Sequence, residues 1–364
     1  MNRDAFSARL AAIRPADAAA MDAARRRQAQ LAKPPGSLGK LEDISIQLAG
    51  ITGHIDNEIE KTRIYVLAAD NGVVAEGVSS APQSVTRQQA INLTRGVTGA
   101  SAIARRFGDE LVVVDVGIAE DYTCPQIVNR RIARGTKNIA KEPAMTVQQA
   151  LTALDTGMTL AAQAKRDGVQ ALGVGEMGIG NTTTSAAVLM ALTGCAVEDA
   201  VGRGGGVTEE AFARKRAVVA GALARLHPDA GDAVDVLAKV GGFDLAAMAG
   251  VFLGAAESRL PVVIDGFISV VAALCAVRLC PAARDFLFAS HGSFERGYAV
   301  AAQALSLTPV LLLDMRLGEG SGCPLGFRVL EAACAAMNGM ATFEDARIDD
   351  GYLAPIRAKD CFTV

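Results

Sequence analysis

Short, continuously apolar segments recur along the chain between longer stretches of helical character. Strands buried on both faces read as uninterrupted apolar runs, so this alternation predicts an α/β fold with a parallel sheet covered by helices. We expect these strands at residues 63–69, 111–116, 169–174, 262–264, 285–289 and 310–315.

Polar and glycine residues follow each predicted strand. In an open α/β sheet, ligands bind in the crevice outside the carboxyl ends of the strands, so we expect these residues to converge on one site. They are Asp70-Asn71-Gly72, Gly117, Gly175-Glu176, Asp265-Gly266, Ser290-His291-Gly292 and Gly318-Glu319-Gly320.

The two ends of the chain differ from this pattern. Residues 1–60 are helical in character, apart from a Pro34-Pro35-Gly36 turn. We expect them to pack with residues 331–364 as a small helical subdomain beside a large catalytic domain formed by residues 61–330.

Composition excludes several classes of protein. With 364 residues, 51% of them hydrophobic, the chain can bury a large core, and its net charge of -3 argues against nucleic acid as a partner. The longest apolar run, 260–277, is interrupted by Asp265, which argues against a membrane span. The charged N-terminus does not resemble an export signal. The seven cysteines form no Cys-x-x-Cys pair, so we expect no zinc site and a reducing, cytoplasmic setting.

Three helix starts can be placed from local signals. Thr86-x-x-Gln89 matches a capping box, which predicts a helix that ends near Gly108. Asn181 and Thr208 each follow a glycine-rich turn, where a helix N-cap is expected.

A first glycine-rich loop, residues 173–182, matches Gly-x-Gly-x-x-Gly between a predicted strand and a helix. The pattern is typical of a dinucleotide phosphate site, and Glu198 lies at the spacing of the ribose-binding acid. Glu176 within the loop would repel a pyrophosphate, however, which argues against a dinucleotide. The alternative is a tight turn without a ligand.

Two further clusters each admit a functional and a structural interpretation. Residues 202–206 could bind an anion through exposed backbone N–H groups, with Lys215 in reach, or could adjoin a solvated basic face. Glu319 lies between two glycines that allow a flat ligand to approach, so it is either a general base or a surface acid.

The other polar strand ends are also ambiguous. Asp265 could be a site residue or a helix N-cap. His291 is more typical of a structural hydrogen-bonding group than of a base, and Ser290 and Ser293 suit either phosphate binding or capping.

Seven segments lie in order from Lys33 to Gly322: KPPGSLGKLE, AADNGVVAEGVS with PQSVT, GVGEMGIGNTTT, GRGGGVT, VVIDGFIS, SHGSFERG and MRLGEGSG. Taken together, they strongly resemble the nicotinate-nucleotide–dimethylbenzimidazole phosphoribosyltransferase family, in the family's order. This resemblance implies a Rossmann-like parallel sheet with a small helical subdomain built from both termini.

The resemblance implies that 5,6-dimethylbenzimidazole displaces nicotinate from nicotinate mononucleotide, with inversion at the anomeric carbon, to give the lower-ligand nucleotide of cobalamin. It implies a homodimer. Glu319 would be the general base, with Glu176 as a second carboxylate near the ribose or the reaction centre. The base-binding residues would be Ser80, Gln88, Met177 and Leu317, and the nucleotide would contact Gly178, Gly205, Lys215, Asp265, Ser290 and Ser293.

No pyrophosphate leaves in this reaction, and the chain lacks an Asp-Asp strand followed by Thr-Thr-Gly, so we expect no metal and no cofactor. Cys323 departs from the family pattern, and we expect it beside the base-binding loop, where it could alter the choice of benzimidazole. The acceptor stays open among benzimidazoles, purines and phenols. The rival hypotheses are a catalytically silent nucleotide-binding protein on the same fold and a dinucleotide-dependent oxidoreductase.

Overall fold

The computed structural model describes residues 1–358, and they form two compact units. The larger unit contains Met1–Arg14 and Lys61–Gly326, and the smaller contains Pro15–Glu60 and the described residues from Phe327 to 358. The predicted boundaries lay after residues 60 and 330. The observed ones differ mainly in placing the first 14 residues with the sheet.

All pairings in the six-stranded sheet of the larger unit are parallel, and the strand order is β3-β2-β1-β4-β5-β6. This is the order of a dinucleotide-binding Rossmann sheet, in which the direction of winding reverses between β1 and β4. The predicted fold class is confirmed. The strands are β1 Thr62–Ala69, β2 Glu110–Gly117, β3 Val128–Asn129, β4 Ala171–Met177, β5 Val262–Ile264 and β6 Leu287–Ala289.

One strand prediction was wrong, and another began two residues too early. Residues 310–315 form no strand and contribute only an isolated bridge between Leu311 and His291. The backbone turns away at Asp314, whose φ is +52°, and Leu312 is 83% exposed, so the apolar run reflects surface rather than core. Residues 285 and 286, at the start of the predicted segment 285–289, belong to a 3-10 turn, Pro281–Phe286. The edge strand β3 was not predicted, because its two residues are too few to form a recognisable pattern.

Helices cover both faces of the sheet, as expected for parallel strands. In the larger unit they are α1 Arg3–Ala12, α4 Ser84–Thr94, α5 Gly99–Phe107, α6 Val147–Arg166, α7 Asn181–Thr193, α8 Val197–Ala200, α9 Glu209–Leu226, α10 Ala233–Val240, α11 Phe243–Glu257, α12 Phe267–Leu279 and α13 Gly297–Ala304. The remaining helices are α2 Ala18–Gln30, α3 Lys40–Thr52, α14 Cys323–Gly339, within which the unit boundary falls, and α15 Ala354–Ala358. No helix in residues 1–358 is long and apolar enough to cross a membrane.

Small residues allow the central helices to pack closely. A Cβ added to Gly157 of α6 would lie 2.0 Å from the Ala247 carbonyl oxygen of α11, and one added to Gly250 would lie 2.1 Å from the Leu154 carbonyl oxygen. The high alanine and glycine content of the chain therefore has a packing role in this helix pair.

Ion pairs explain why the first helix belongs to the larger unit. The Arg9 guanidinium of α1 contacts Asp155 of α6 at 2.8 Å and Glu257 of α11 at 2.5 Å. These contacts hold α1 against the helix pair that covers the sheet.

The smaller unit has its own apolar cluster, formed by Ala24 of α2, Ala49 of α3 and Met337 of α14. The turn that precedes α3 is held by an ion pair, since Lys33 Nζ lies 2.6 Å from Glu42 Oε1. Gly36 has a φ of +73°, as the Pro-Pro-Gly sequence predicts for a turn.

Candidate active site

A cavity of about 410 Å³ lies at the carboxyl ends of the strands in the larger unit. Its size is typical of a site for a small organic ligand. The loops that follow β1, β4, β5 and β6 line it, together with both glycine-rich segments. From the predicted set it includes Ser80, Glu176, Met177, Gly178, Gly205, Lys215, Asp265, Ser293, Leu317 and Glu319, while Gln88 and Ser290 do not line it.

Glu319 lies in an unusual backbone conformation. Its φ is +62°, and its neighbours Gly318 and Gly320 have φ values of +83° and +82°. Side-chain-bearing residues rarely adopt this left-handed region, and such strain is concentrated at functional sites. The flanking glycines therefore allow the chain to present the carboxylate from a tight turn.

Two hydrogen bonds fix the Glu319 carboxylate, which is 5% exposed. Gln89 Nε2 donates to Oε1 at 2.7 Å, and the Ala100 backbone N–H donates to Oε2 at 3.4 Å. Ala100 lies in the first turn of α5, where the helix dipole presents positive charge. The interpretation of Glu319 as a surface acid was wrong.

Gln89, rather than Gln88, is the glutamine of this site. Gln88 is exposed, whereas Gln89 and Val85, one helical turn earlier in α4, line the cavity. Their spacing of four residues on one helix face is the signal that could have identified Gln89 from the sequence.

The proposed capping box at Thr86 was also wrong. Thr86 lies inside α4, where its hydroxyl accepts a hydrogen bond from the Ile179 backbone N–H at 3.1 Å. The chain forms two helices here, and the second has a capping box at Thr98 and Ser101. Both residues of the Thr-x-x-Gln signal therefore serve the site rather than a helix end.

Glu176, at the end of β4, belongs to a buried network. Asn181 Nδ2 donates to Glu176 Oε2, and also to Asp244 Oδ2 at 3.1 Å. Burial raises the pKa of Glu176 to about 8, with a further contribution from the negative charge of Asp244. Burial likewise raises the pKa of Asp244 to about 6. Glu176 is therefore mostly a neutral acid at pH 7.

Two members of this network, Asn181 and Asp244, have roles that the sequence did not predict. Asn181 does not cap α7, since the N-cap residue is Gly180 with a φ of +92° and the Asn181 side chain joins the two acids. Asp244 was not predicted, because it lies in the first turn of an apolar helix with no motif around it. Thr208, by contrast, caps α9 as predicted, accepting from the Ala211 N–H at 3.3 Å.

Lys215 supplies a buried positive charge to the cavity. It is 1% exposed, and its Nζ donates to Thr182 Oγ1 at 2.8 Å and to the Gly202 carbonyl oxygen at 3.1 Å. Burial lowers the pKa of Lys215 to about 8, because both partners are neutral and the charged form is poorly solvated. A buried ammonium group with neutral partners is a strong attractant for an anion. The interpretation of this segment as a solvated basic face was wrong for Lys215.

The second glycine cluster leaves its backbone uncovered beside Lys215. A Cβ added to Gly205 or Gly206 would meet no atom within 4 Å, so this loop is open to a ligand. Gly178, by contrast, is packed, since a Cβ there would lie 2.5 Å from the Ala69 carbonyl oxygen. Ser293 adds a hydroxyl to the cavity.

An apolar part of the cavity is formed by Met177 and Leu317. Leu317 packs over Gly99, where an added Cβ would lie 2.5 Å from Leu317 Cδ2. Ser80 follows the loop after β1 and is exposed at the cavity wall. A flat aromatic ring could be held between these groups and Glu319.

Asp265 and Ser290 support the site from behind. Asp265 does not cap α12; its Oδ2 and Oδ1 accept from the backbone N–H groups of Gly320 at 3.0 Å and Gly322 at 2.7 Å. The Ser290 hydroxyl donates to the Asp265 carbonyl oxygen at 3.2 Å and contacts His291 Nδ1 at 3.1 Å. Burial lowers the pKa of His291, so it is a neutral hydrogen-bonding group at pH 7.

Cys323 directly follows the loop of residues 318–322, as expected, but its side chain does not reach the cavity. The side chain is buried against β4, where a Cβ added to Gly173 would lie 2.6 Å from Cys323 Cβ, and it does not line the cavity. Glu198 is exposed and also lies outside the cavity lining, which argues further against a dinucleotide site. Within residues 1–358, no group of three or more His, Cys, Asp or Glu side chains is placed to hold a metal ion.

Comparisons with known proteins identify the family of the chain. A family model described as phosphoribosyltransferase matches residues 13–348. The chain is 52% identical over 341 residues to the nicotinate-nucleotide–dimethylbenzimidazole phosphoribosyltransferase of Clostridium perfringens, covering 94% of each chain. It belongs to the nicotinate-nucleotide–dimethylbenzimidazole phosphoribosyltransferase family.

Two further members are similar over most of their length. The protein of that name from Acetivibrio thermocellus is 48% identical over 329 residues, covering 90% of this chain and 94% of its own. The crystal structure of CobT from Thermus thermophilus superimposes with a TM-score of 0.88 at 44% identity, covering 92% of this chain and all of that one.

Proposed function

We propose that this enzyme transfers the phosphoribosyl group of nicotinate mononucleotide to 5,6-dimethylbenzimidazole, in the assembly of the lower ligand of cobalamin. One observation carries the proposal. A single cavity holds both a carboxylate fixed by two hydrogen bonds, Glu319, and a buried ammonium beside uncovered glycines, Lys215. The first suits the acceptor base and the second suits the nucleotide phosphate.

The chemistry requires one base and no acid. The unprotonated nitrogen of the benzimidazole attacks C1′ of the ribose, and the C1′–N bond to the pyridinium ring breaks. Nicotinate leaves with a neutral ring and needs no proton. The other benzimidazole nitrogen becomes acidic as positive charge develops, and Glu319 accepts its proton. Attack opposite to the departing ring inverts the configuration at C1′ and gives α-ribazole 5′-phosphate.

We assign the nucleotide phosphate to Gly178, Gly205, Lys215 and Ser293, which all line the cavity. Charge-assisted hydrogen bonds from Lys215 and backbone N–H groups suit a phosphate. We assign the acceptor ring to Ser80, Met177, Leu317 and Gln89, with Gln89 replacing Gln88. Glu176, as a neutral acid, can donate a hydrogen bond to the ribose.

We also propose that the enzyme acts in the cytoplasm as a homodimer. The segment 311–317 runs beside residues 292–294, with hydrogen bonds from Gly292 N–H to the Leu311 carbonyl and from Phe294 N–H to the Met315 carbonyl. The two segments together expose Phe294, Leu312 and Leu313, and such an apolar patch favours contact with a second copy. Sedimentation should give the mass of a dimer for the wild type and of a monomer for Leu312→Glu. A monomeric wild type would contradict the proposal.

A chromatographic assay tests the activity. Purified enzyme is incubated with nicotinate mononucleotide and 5,6-dimethylbenzimidazole, and both nicotinate and α-ribazole phosphate are quantified. We expect equal amounts of the two products. Folded enzyme that binds the mononucleotide but forms neither product would favour the silent nucleotide-binding protein, and tighter binding of a dinucleotide would favour the oxidoreductase.

A further inference from the structure

We propose that Asp265 is a positioning residue, which holds the backbone of residues 318–322 so that the Glu319 carboxylate is presented to the acceptor. This inference rests on the proposed function of Glu319 as the base. It replaces the expectation that Asp265 binds the nucleotide.

The loop needs an external restraint because its conformation is not one that the chain adopts by itself. Gly318, Glu319 and Gly320 all have positive φ values, and Glu319 carries a side chain that disfavours this region. Without fixed partners for its N–H groups, the loop would relax, and the carboxylate would move with it.

Asp265 supplies those partners. One of its carboxylate oxygens accepts from the Gly320 N–H, next to Glu319, and the other accepts from the Gly322 N–H. The residue is 2% exposed, so both bonds are shielded from competing water. Burial raises the pKa of Asp265 to about 7, while these two N–H groups favour its ionised form. Hydrogen bonds to an ionised carboxylate are stronger than those between neutral groups.

Asp265 is itself anchored on both sides. Its backbone N–H donates to Ser269 Oγ at 3.2 Å, and the Ser269 hydroxyl donates to the Val174 carbonyl of β4 at 3.0 Å. Ser290, just after β6, donates to the Asp265 carbonyl. The restraint therefore runs from three neighbouring strands to the loop.

The opposite side of the loop rests directly on β4. A Cβ added to Gly175 would lie 2.3 Å from the Gly320 backbone nitrogen, so the loop crosses the strand in close contact. Backbone packing on one side and the Asp265 carboxylate on the other leave Glu319 little freedom. Such fixed placement is what a base needs, because small misplacements cost rate.

The first test separates positioning from nucleotide binding. In Asp265→Asn, one oxygen is replaced by an amino group that faces a backbone N–H, so one hydrogen bond is lost. We expect kcat to fall about 10-fold or more, the scale set by misplacement of a reacting group, with the KM for nicotinate mononucleotide nearly unchanged. A raised KM with an unchanged kcat would overturn the inference in favour of nucleotide binding.

A double-mutant cycle shows whether Asp265 acts through Glu319. Adding Asp265→Asn to Glu319→Ala should lower kcat no further, since the group that it positions is already absent. An equal loss in both backgrounds would show that Asp265 acts independently and would overturn the inference.

Asp115→Asn is the matched control. Asp115 is a comparable buried carboxylate, since its Oδ1 accepts from the N–H groups of Gly117 at 2.9 Å and Ile118 at 2.8 Å. Its Oδ2 pairs with Arg131, and it does not line the cavity. Amide hydrogen exchange in peptides covering residues 318–322 should accelerate in Asp265→Asn and not in Asp115→Asn. Unchanged exchange in Asp265→Asn would overturn the inference. This readout needs no substrate, so it stands apart from any failure of the proposed function.

Ser269→Ala provides a milder variant in case Asp265→Asn does not fold. It removes the hydroxyl that anchors the Asp265 backbone and leaves the carboxylate in place. We expect a smaller fall in kcat with the same unchanged KM, and faster exchange in residues 318–322. Wild-type kcat and exchange in Ser269→Ala would contradict the inference.

Discussion

Two glycine-rich loops face the cavity, and they differ in how much space surrounds their glycines. In residues 318–322 the glycines are packed: a Cβ on Gly320 would lie 2.8 Å from Ile64 Cγ2, and one on Gly322 would lie 2.3 Å from His291 Nδ1. In residues 202–206, Gly202 and Gly204 are packed against Glu295 and Thr182, whereas Gly205 and Gly206 have nothing within 4 Å. The first loop is closed around a fixed carboxylate, and the second is open to a ligand.

The difference indicates how work is divided in the site. A base must be held in place, so its loop is strained, buried and hydrogen-bonded. A phosphate brings its own charge and hydrogen-bond acceptors, so its loop can stay uncovered until the nucleotide binds. Glycine thus allows tight packing around Glu319 in one loop and leaves space for a ligand in the other.

The largest effect should come from the carboxylate of the closed loop. Glu319→Gln keeps the shape of the side chain but cannot accept the acceptor's proton, so we expect kcat to fall by about 10²- to 10⁴-fold. Steady-state assays of both products measure it. A loss confined to the KM for the acceptor would mean that Glu319 only binds the ring.

The cation beside the open loop should give a smaller effect with a distinct pH dependence. The ammonium form of Lys215 is the proposed phosphate ligand, and its pKa is about 8, so kcat/KM for the nucleotide should fall as the pH rises through about 8. The negative charge of Glu295 raises the pKa of Lys215 and so favours its ammonium form. Lys215→Met should lower kcat/KM about 10- to 100-fold at pH 7, because charge-assisted hydrogen bonds are lost.

The same variant provides the control. In Lys215→Met the decline of kcat/KM above pH 8 should disappear, since the titrating group is gone. A decline that persists in Lys215→Met would assign the titration to another group.

Matched alanine substitutions test the packing difference itself. Gly320→Ala places a Cβ against Ile64 at a φ of +82°, and we expect the free energy of unfolding to fall by about 1–3 kcal/mol. Gly205→Ala meets no atom, so its free energy of unfolding should stay within about 0.5 kcal/mol of the wild type. Denaturant titrations compare the two. Equal destabilisation would remove the distinction between closed and open loops.

The smallest expected effect is that of a chelator. In the proposed assignment, Lys215 and backbone groups hold the phosphate and no pyrophosphate leaves, so turnover should be unchanged by EDTA. Activity that collapses with EDTA and returns with magnesium would show that the open loop needs a metal.

The sequence predicted the layered sheet and its ligand edge because buried parallel strands leave a clear apolar pattern. Residues 310–315 could not be assigned correctly, because an apolar run on the surface has the same pattern as a buried strand. The choice between Gln88 and Gln89 also failed, because it requires knowing which face of the helix points to the site. Asp244 could not be predicted, since the site brings it to Glu176 through tertiary packing alone.

The central claim is that Glu319 removes the proton from the attacking base. An N-methylated 5,6-dimethylbenzimidazole has no such proton, so it tests the claim most directly when kcat is measured for wild type and Glu319→Ala with both acceptors. We expect the substitution to cost about 10²-fold or more with the parent acceptor and only a few-fold with the methylated one. An equal loss with both acceptors would contradict the role of Glu319 as the base.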